Sequence, residues 1–249
     1  MDKFAELKAL LGEVGGVDSF STEAAIRVMH KVIDVLRGMG LSENSAYGLL
    51  EGYKELFGLE FINMPDFTDG RYVLTPNHVS EFDGPLFGAL HPNMLIMAKK
   101  EWTDDQTLGA FLGQFFKFVG VDRKDKLSGT FAIGKCIKHI KNSTNSAVTI
   151  FVQQTIADID IIQPEDIAAG AYFVRKKAGA SILPVFCEQV SLSAPTRIVF
   201  GEPLEPPAPE DFGKKWLEAQ LSMQKSLNPP ARKPQLNKKH SIPISQRDF

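Results

Sequence analysis

The stretch Tyr72-Val73-Leu74-Thr75-Pro76-Asn77-His78 carries a short apolar run into a polar turn, and the residues from Phe82 to Leu90 then follow a helical pattern. A strand that passes through a turn into a helix is the repeating unit of α/β folds. His78 would then lie at the rim of a sheet, where such folds form their ligand crevices. This stretch therefore predicts both a fold class and the place of a functional site.

Further apolar runs of strand length follow along the chain, and most are separated by helix-length stretches. They are Met94–Met97, Val148–Phe151, Ser181–Val185 and Arg197–Phe200. A final helix is expected from Pro209 to about Leu227. The alternation predicts an α/β fold with a mostly parallel central sheet flanked by helices.

Residues outside this alternation divide the chain into three parts. Residues 1–60 are predicted to form an N-terminal helical region, in which one helix stops at Gly38 and Gly40 and another runs from about Glu43 to Phe57. Residues 61–227 form the α/β domain. Residues 228–249 are rich in proline, lysine and arginine, and such a composition predicts a loosely ordered basic tail.

Composition excludes several classes of protein. A net charge of -2 and a pI near 6.2 argue against nucleic acid as a partner, because phosphate contacts need a basic face. Cys136 and Cys187 lie far apart and show no metal-ligand spacing. The most apolar stretch, Leu108 to Val121, is too short to span a membrane and is interrupted by Gln114 and Lys117. We expect a cytoplasmic protein that contacts membranes at most peripherally.

His78 and Asp83 are the candidate catalytic residues. A turn and the first coil of a helix can fold Asp83 back towards the imidazole, and a carboxylate bound to one ring nitrogen supports proton uptake by the other. The same spacing alone is also typical of a structural cap or a surface pair. A covalent serine scheme has little support, because the chain contains no Gly-x-Ser-x-Gly elbow.

Three blocks give the chain a specific resemblance. The stretch Leu74 to Asp83 is similar to the NHxSxxD block of the glycerol-phosphate and lysophosphatidic acid acyltransferase family. Phe118 to Arg123 resembles the second block of that family, in which an Arg after a strand contacts the acceptor phosphate. Ala180 to Val185 resembles its last block. The resemblance spans about residues 70 to 205.

The resemblance implies an acyltransferase in which the acceptor directly attacks an acyl thioester, supplied by acyl-CoA or by acyl carrier protein. His78 would be the general base and Asp83 its orienting partner. No metal and no bound organic cofactor would be needed. The implied acceptor-binding residues are Asn77, Ser80, Arg123, Gln153 and Thr155. Lys99 and Lys100, after the Met94 strand, are the candidates for donor binding, although a solvated lysine pair is the favoured interpretation of these two residues.

The third block departs from the family pattern Phe-Pro-Glu-Gly-Thr-Arg. Here it reads Phe151-Val152-Gln153-Gln154-Thr155-Ile156, so that only Phe151 and Thr155 are kept. Ile156 cannot make the bidentate phosphate contact of an Arg, a loss of about 2 to 5 kcal/mol for a desolvated pair. Arg123 alone, Arg175 or Lys176 are conceivable replacements.

The favoured interpretation is a hydroxyl or amine acceptor other than the standard lysophosphatidic acid. A standard 1-acylglycerol-3-phosphate acyltransferase and a non-catalytic acyl-binding homologue remain the alternatives.

The phenylalanine-rich stretch Leu108 to Phe118 is open to two interpretations. As an amphipathic helix it would form an acyl-chain channel or touch a membrane interface. As ordinary core it would simply pack inside the domain. Gly109 and Gly113 would let another element approach this stretch closely.

Overall fold

A computed structural model of the chain describes residues 27, 30, 33–34, 37–38, 40, 42, 46–68, 70–79, 83–188, 196–206 and 208–231. Within them, seven strands form one sheet with the order β1-β7-β6-β2-β5-β3-β4. The strands are β1 (Glu60–Ile62), β2 (Gly70–Pro76), β3 (Met94–Lys99), β4 (Lys117–Val121), β5 (Asn145–Thr149), β6 (Ser181–Cys187) and β7 (Arg197–Phe200).

Five neighbouring strands of this sheet, β6, β2, β5, β3 and β4, run parallel to one another. β7 is antiparallel to β6, and the edge strand β1 runs parallel to β7. The mostly parallel sheet predicted from the sequence is therefore confirmed. The carboxyl ends of the five parallel strands meet at one edge, and β2, which leads into His78, is the middle strand of the whole sheet.

Helices cover both faces of the sheet. They are α1 (Ala46–Phe57), α2 (Asp83–Gly88), α3 (Lys100–Asp104), α4 (Leu108–Leu112), α5 (Lys126–Lys141), α6 (Gly170–Ala178) and α7 (Pro209–Ser226). One core cluster lies between the sheet and α1 and α2. A second lies between the other face of the sheet and α5, α6 and α7.

Strand β2 shows why the sequences of the central strands are continuous apolar runs. Successive side chains of a strand point to opposite faces. Val73 packs in the cluster under α5 to α7, and Leu74 packs in the cluster under α1 and α2. Both are fully buried, as is usual for a parallel strand that helices cover on both sides. This double burial fixes the register of β2 and hence the position of the turn that follows it.

One strand prediction needed correction, and another strand was missed. The predicted strand Val148–Phe151 instead spans Asn145–Thr149, and Phe151 lies beyond its end. The chain leaves the sheet there because the 151–157 loop turns back towards His78, and Ala157 N donates to the carbonyl of His78 at 3.0 Å. Strand β1 was not predicted, since three residues at a sheet edge carry no periodic signal.

The phenylalanine-rich stretch is not one helix from Leu108 to Phe118. Helix α4 ends at Leu112, a turn follows, and β4 begins at Lys117. β4 pairs with β3 along its whole length, and this pairing overrides the helical pattern. A β-carbon on Gly109 would lie 2.6 Å from the carbonyl oxygen of Thr103, so the close approach expected at this glycine is present.

The N-terminal region and the tail are described only in part. Gly40 adopts φ 70 and its N–H donates to the carbonyl of Arg37, as expected for a helix stop. Helix α1 begins at Ala46, inside the predicted range, and residues 43–45 lie outside the described part. The predicted tail is described only as far as Ala231. Among the described helices, none is long and apolar enough to cross a membrane.

Candidate active site

His78 and Asp83 are in direct contact. Asp83 is the first residue of α2, its side chain is fully buried, and its Oδ2 lies 3.0 Å from His78 Nδ1. The same oxygen accepts a hydrogen bond of 2.9 Å from the N–H of Val79. An ionised carboxylate can only accept, so Nδ1 carries the hydrogen and Nε2 is the basic nitrogen.

The imidazole is partly enclosed by aromatic rings. Its centroid lies 4.4 Å from that of Phe151, with an interplanar angle of 36°. Phe87 of α2 contacts Phe151 edge to face at 6.1 Å. The side chain of His78 keeps 14% of its surface exposed and borders a cavity. Access to His78 is therefore from the cavity, while the aromatic wall limits its contact with bulk water.

The backbone just before His78 is fixed from the α7 side. Trp216 Nε1 and Gln220 Nε2 donate to the carbonyl of Thr75 at 2.9 and 3.2 Å. Gln220 Nε2 also donates to the carbonyl of Val185 at 3.1 Å. Both side chains are fully buried, so these bonds form in a low-dielectric environment. Helix α7 thereby holds the carboxyl ends of β2 and β6 together.

Asn77, which was predicted to bind the acceptor, makes its side-chain hydrogen bonds within the protein. Its Nδ2 donates to the carbonyl of Cys187 at 2.9 Å, and its Oδ1 accepts from the N–H of Cys187 at 2.6 Å. The side chain is 1% exposed and does not border the cavity. The amide has the two-sided geometry of a backbone strand partner, which makes Asn77 a clamp between the ends of β2 and β6.

Gln153 and Thr155, which were also predicted to contact the acceptor, do not border the cavity. Gln153 points into the protein, and its Nε2 donates to the carbonyls of His78 and Thr155 at 3.0 and 2.9 Å. Gln154 borders the cavity instead, with a left-handed φ of 59. Ser80, another predicted acceptor residue, lies outside the described residues.

The cavity lies over the carboxyl ends of β3, β4 and β5 and has a volume of about 350 Å³. Its walls are mainly apolar, which suits a hydrocarbon chain. The apolar lining includes Pro85, Ile96, Trp102, Leu112, Phe118 and Phe151 on the α2 side of the sheet, and Met97, Val121, Ile133 and Val152 on the α5 side. The phenylalanine-rich stretch thus contributes Leu112 and Phe118 to the cavity.

Charged side chains of both signs border the cavity. The cations are Lys99, the last residue of β3, and Arg123, which follows the neighbouring strand β4. Asp122 and Asp125 are the anions, and Asp125 also caps α5 by accepting from Leu127 N. Lys100 does not border the cavity, because it forms an ion pair with Asp104 on the surface of α3. Only one of the two predicted donor-binding lysines therefore reaches the site.

The position of the family's motif arginine is filled by a buried side chain. Ile156 is 8% exposed and does not border the cavity. Arg175 pairs with Glu205 at 3.5 Å, and Lys176 lies beside Tyr172 on α6. Neither cation borders the cavity. Arg123 is the predicted phosphate ligand that the structure does bring to the site.

The other described histidines of the domain serve the opposite edge of the sheet. Asn93 N donates to Nδ1 of His91, and His139 Nε2 bonds the carbonyl of Asn93. Burial lowers the pKa of both histidines, and the nearby Lys117 lowers them further. They hold the loop before β3 and lie away from His78.

The cysteines are unsuited to nucleophilic chemistry. Burial raises the pKa of the Cys136 thiol to about 12. Burial, with Asp83 and Glu188 nearby, raises the pKa of Cys187 well above its ordinary value. Within the described part of the chain, no cluster of His, Cys, Asp and Glu side chains is arranged to hold a metal ion.

Several residues that build the site were not found from the sequence. Trp216 and Gln220 lie 141 and 145 positions from Thr75, and no local pattern connects them. Asp122 stands beside Arg123 in the second block, so its place at the cavity could have been inferred from that neighbour. The role of Asp125 as the N-terminal cap of α5 could also have been predicted from the sequence.

Comparisons with known proteins find a matching family model and a similar solved structure. A family model described as Acyltransferase matches residues 58–188, which is more than half of the 249 residues. Among solved structures, the chain is similar to the 1-acyl-sn-glycerophosphate (LPA) acyltransferase PlsC from Thermotoga maritima, with 14% identity and a TM-score of 0.48. The match covers 82% of this chain and 81% of that one.

Proposed function

The chain belongs to the acyltransferase family and is an acyl-transferring enzyme. We propose that His78 is its general base and Asp83 the orienting partner. The reaction would move a fatty acyl group from an acyl thioester to a hydroxyl or amine acceptor. The observation that carries this proposal is the His78 Nδ1 to Asp83 Oδ2 contact of 3.0 Å, which leaves Nε2 as the nitrogen that can take a proton on a residue that borders the cavity.

The proposed step needs one proton carrier and no covalent enzyme intermediate. Nε2 of His78 takes the proton of the acceptor O–H or N–H as the acceptor atom bonds to the thioester carbonyl carbon. The carbon–sulfur bond then breaks, and the leaving thiolate takes the proton back from His78. Asp83 stabilises the transient imidazolium, and general base catalysis of this kind contributes about 10² to 10⁴-fold in rate.

The cavity supports an acyl thioester as donor. A hydrocarbon chain would be stabilised against the apolar walls by about 25 cal/mol per Å² of buried surface. Lys99 and Arg123 at the border offer charge to the phosphate groups of acyl-CoA or of the prosthetic arm of acyl carrier protein. Both donors remain within the proposal, and neither requires a metal or a bound cofactor on the enzyme.

The acceptor is proposed to lack a phosphomonoester, unlike the standard lysophosphatidic acid. In this proposal the phosphate groups of the donor use Lys99 and Arg123. The remaining charged side chains at the cavity border, Asp122 and Asp125, would repel a phosphate dianion on the acceptor. The third block adds no cation, because Ile156 is buried. A neutral or zwitterionic hydroxyl or amine compound suits this border better.

A standard 1-acylglycerol-3-phosphate acyltransferase is the second candidate, and Arg123 at the cavity is the observation in its favour. Arg175 and Lys176 of α6 give this candidate no support, since neither borders the cavity and they contact Glu205 and Tyr172. A non-catalytic acyl-binding homologue would keep the cavity but would have no need of the buried carboxylate at His78.

Thiol release from acyl-CoA and acyl carrier protein, followed with and without acceptor, tests the catalytic proposal. We expect His78→Ala to slow acceptor-dependent release by 10² to 10⁴-fold. His139→Gln, on the opposite edge of the sheet, is the matched control and should release thiol at the native rate. Equal rates for the native protein and His78→Ala would exclude His78 as the base.

The acceptor proposal is tested by product mass after incubation with a panel of hydroxyl and amine acceptors that includes lysophosphatidic acid. We expect the highest kcat/KM for an acceptor without phosphate. A highest value for lysophosphatidic acid, lost in Arg123→Gln, would establish the second candidate instead.

A further inference from the structure

Gln153 occupies the position at which the family pattern has a glutamate, yet its surroundings contain hydrogen-bond acceptors. The side chain is 1% exposed. Its Nε2 lies 3.0 Å from the carbonyl oxygen of His78, 2.9 Å from that of Thr155 and 3.4 Å from that of Ala157. Three carbonyl oxygens thus converge on one side-chain atom.

This arrangement requires a donor at the end of side chain 153. An amide NH₂ supplies two hydrogens to the three carbonyls, whereas an ionised carboxylate supplies none. A carboxylate here would be desolvated and would face three negative dipole ends, and both effects disfavour its charged form. The fold of the 153–157 loop therefore explains why position 153 is a glutamine and not a glutamate.

The contact with His78 acts on the peptide group that carries the base. The carbonyl of His78 accepts from Gln153 Nε2 and from Ala157 N, each at 3.0 Å. The N–H of the same peptide group belongs to Val79 and donates to Asp83 Oδ2 at 2.9 Å. The peptide group between His78 and Val79 is thus held at both polar ends, and Asp83 also holds the imidazole.

We propose that Gln153 is a positioning residue for His78, and that the third block of this chain supports the general base instead of contacting the acceptor. The inference rests on the proposed function of His78. It also assigns to Gln153 a role that neither its charge nor the family pattern indicates. The side chain acts through the backbone and does not touch the substrate.

Gln153→Glu is the variant that isolates this role. It preserves the shape of the side chain and replaces the NH₂ donor by a carboxyl oxygen that can ionise. At pH 8, where the introduced carboxyl tends to ionise, we expect kcat to fall by about 10 to 100-fold, the scale of a small displacement of a catalytic group. KM for donor and acceptor should stay the same. As the pH falls, the protonated carboxyl regains a donor, so the ratio of native to variant kcat should decrease.

A second readout needs no catalytic activity. The contacts of the folded state raise the pKa of the introduced carboxyl above its unfolded value of about 4.3. The destabilisation of Gln153→Glu relative to the native protein should therefore be smallest below that value, and it should grow as the pH rises through the folded pKa. Thermal unfolding of both proteins between pH 4 and pH 8 measures this trend.

Two matched variants serve as controls. Gln114→Glu changes an exposed glutamine and should match the native protein in stability and kcat at every pH. Gln220→Glu changes another buried glutamine that donates to two carbonyls. It should lose stability as the pH rises, but its loss of kcat at pH 8 should be smaller than that of Gln153→Glu, because it does not touch His78.

The outcomes separate the proposals. A raised KM for the acceptor with unchanged kcat would overturn the positioning role and make Gln153 an acceptor ligand. A pH-independent stability of Gln153→Glu would show that the three-carbonyl site does not exist. If the native protein transfers no acyl group to any acceptor, the proposed function fails, and the positioning role fails with it even where the stability trend is seen.

Discussion

Oδ2 of Asp83 binds Nδ1 of His78 at 3.0 Å and the N–H of Val79 at 2.9 Å. One carboxylate oxygen therefore fixes both the imidazole and the backbone that carries it. Because Asp83 begins α2, the helix and His78 are positioned together.

Asp83→Asn should inactivate the protein while leaving it folded. An amide keeps the volume and an oxygen for Val79, but it cannot stabilise an imidazolium. We expect kcat to fall by about 10² to 10⁴-fold with little change in the unfolding midpoint. Asp66→Asn, before the amino end of β2, is the control and should retain native activity. Near-native kcat in Asp83→Asn would show that His78 does not need the carboxylate.

Gln154→Gly should stabilise the fold. Gln154 has φ 59, a conformation that costs a non-glycine residue about 1 to 2 kcal/mol. Glycine adopts it freely but loses about 0.5 to 1 kcal/mol more chain entropy on folding. The net gain expected in urea unfolding is about 0.5 to 1 kcal/mol. Gln154→Ala, which retains the β-carbon, should show no such gain, and an equal gain in both variants would contradict the backbone explanation.

Stability should decrease in acid through His91 and His139. Burial lowers the pKa of both in the folded protein, so that the unfolded chain binds protons more readily. Their contribution is complete above the unfolded pKa of about 6.5 and is lost as the pH falls through the lower folded values.

Replacing these histidines by non-titrating amides tests the pH trend. Asn at 91 can keep the acceptor that Nδ1 offers to Asn93 N, and Gln at 139 can keep a donor near the carbonyl of Asn93. In the double variant His91→Asn/His139→Gln, the unfolding midpoint should depend less on pH between pH 5 and pH 7 than it does in the native protein. An unchanged slope would assign the acid sensitivity to other groups.

The buried pair Glu188–Arg197 should be costly to break. The guanidinium binds both carboxylate oxygens, at 3.0 and 2.9 Å, and also donates to the carbonyls of Pro229 and Pro230. Arg197→Met leaves a buried carboxylate without its cation, and we expect a loss of about 3 to 5 kcal/mol in urea unfolding. Glu188→Gln/Arg197→Met should lose less. A greater loss in the double variant would contradict this account.

The sequence predicted the features that depend on local patterns. Alternating apolar runs and helix-length stretches gave the mostly parallel sheet, because the burial of a strand on both faces requires a continuous apolar run. The strand-to-helix passage at Asn77 predicted His78 at the sheet rim. The contact of His78 with Asp83 also followed, since five positions across a helix start bring the two side chains together.

Features that depend on distant partners were missed or assigned differently. Asn77 looked like a substrate ligand in its block, but Cys187, on a strand formed 110 positions later, takes both ends of its amide. The break between α4 and β4 depended on the pairing of β4 with β3, which local helical pattern does not reveal.

The sequence by itself determined the α/β fold and the place of His78 at the end of β2, because both follow from the order and periodicity of the apolar runs. The short spacing between His78 and Asp83 also placed the two side chains within reach of each other. Only the tertiary structure decided which side chains of the third block face the cavity. The turn at Gln154 directs Gln153 inward to the carbonyl of His78, 75 positions away, and leaves Gln154 at the cavity. The direction of a loop side chain is set by the acceptors that the folded backbone brings to it. The carbonyl of His78 reaches Gln153 only when the distant strands β2 and β5 pair.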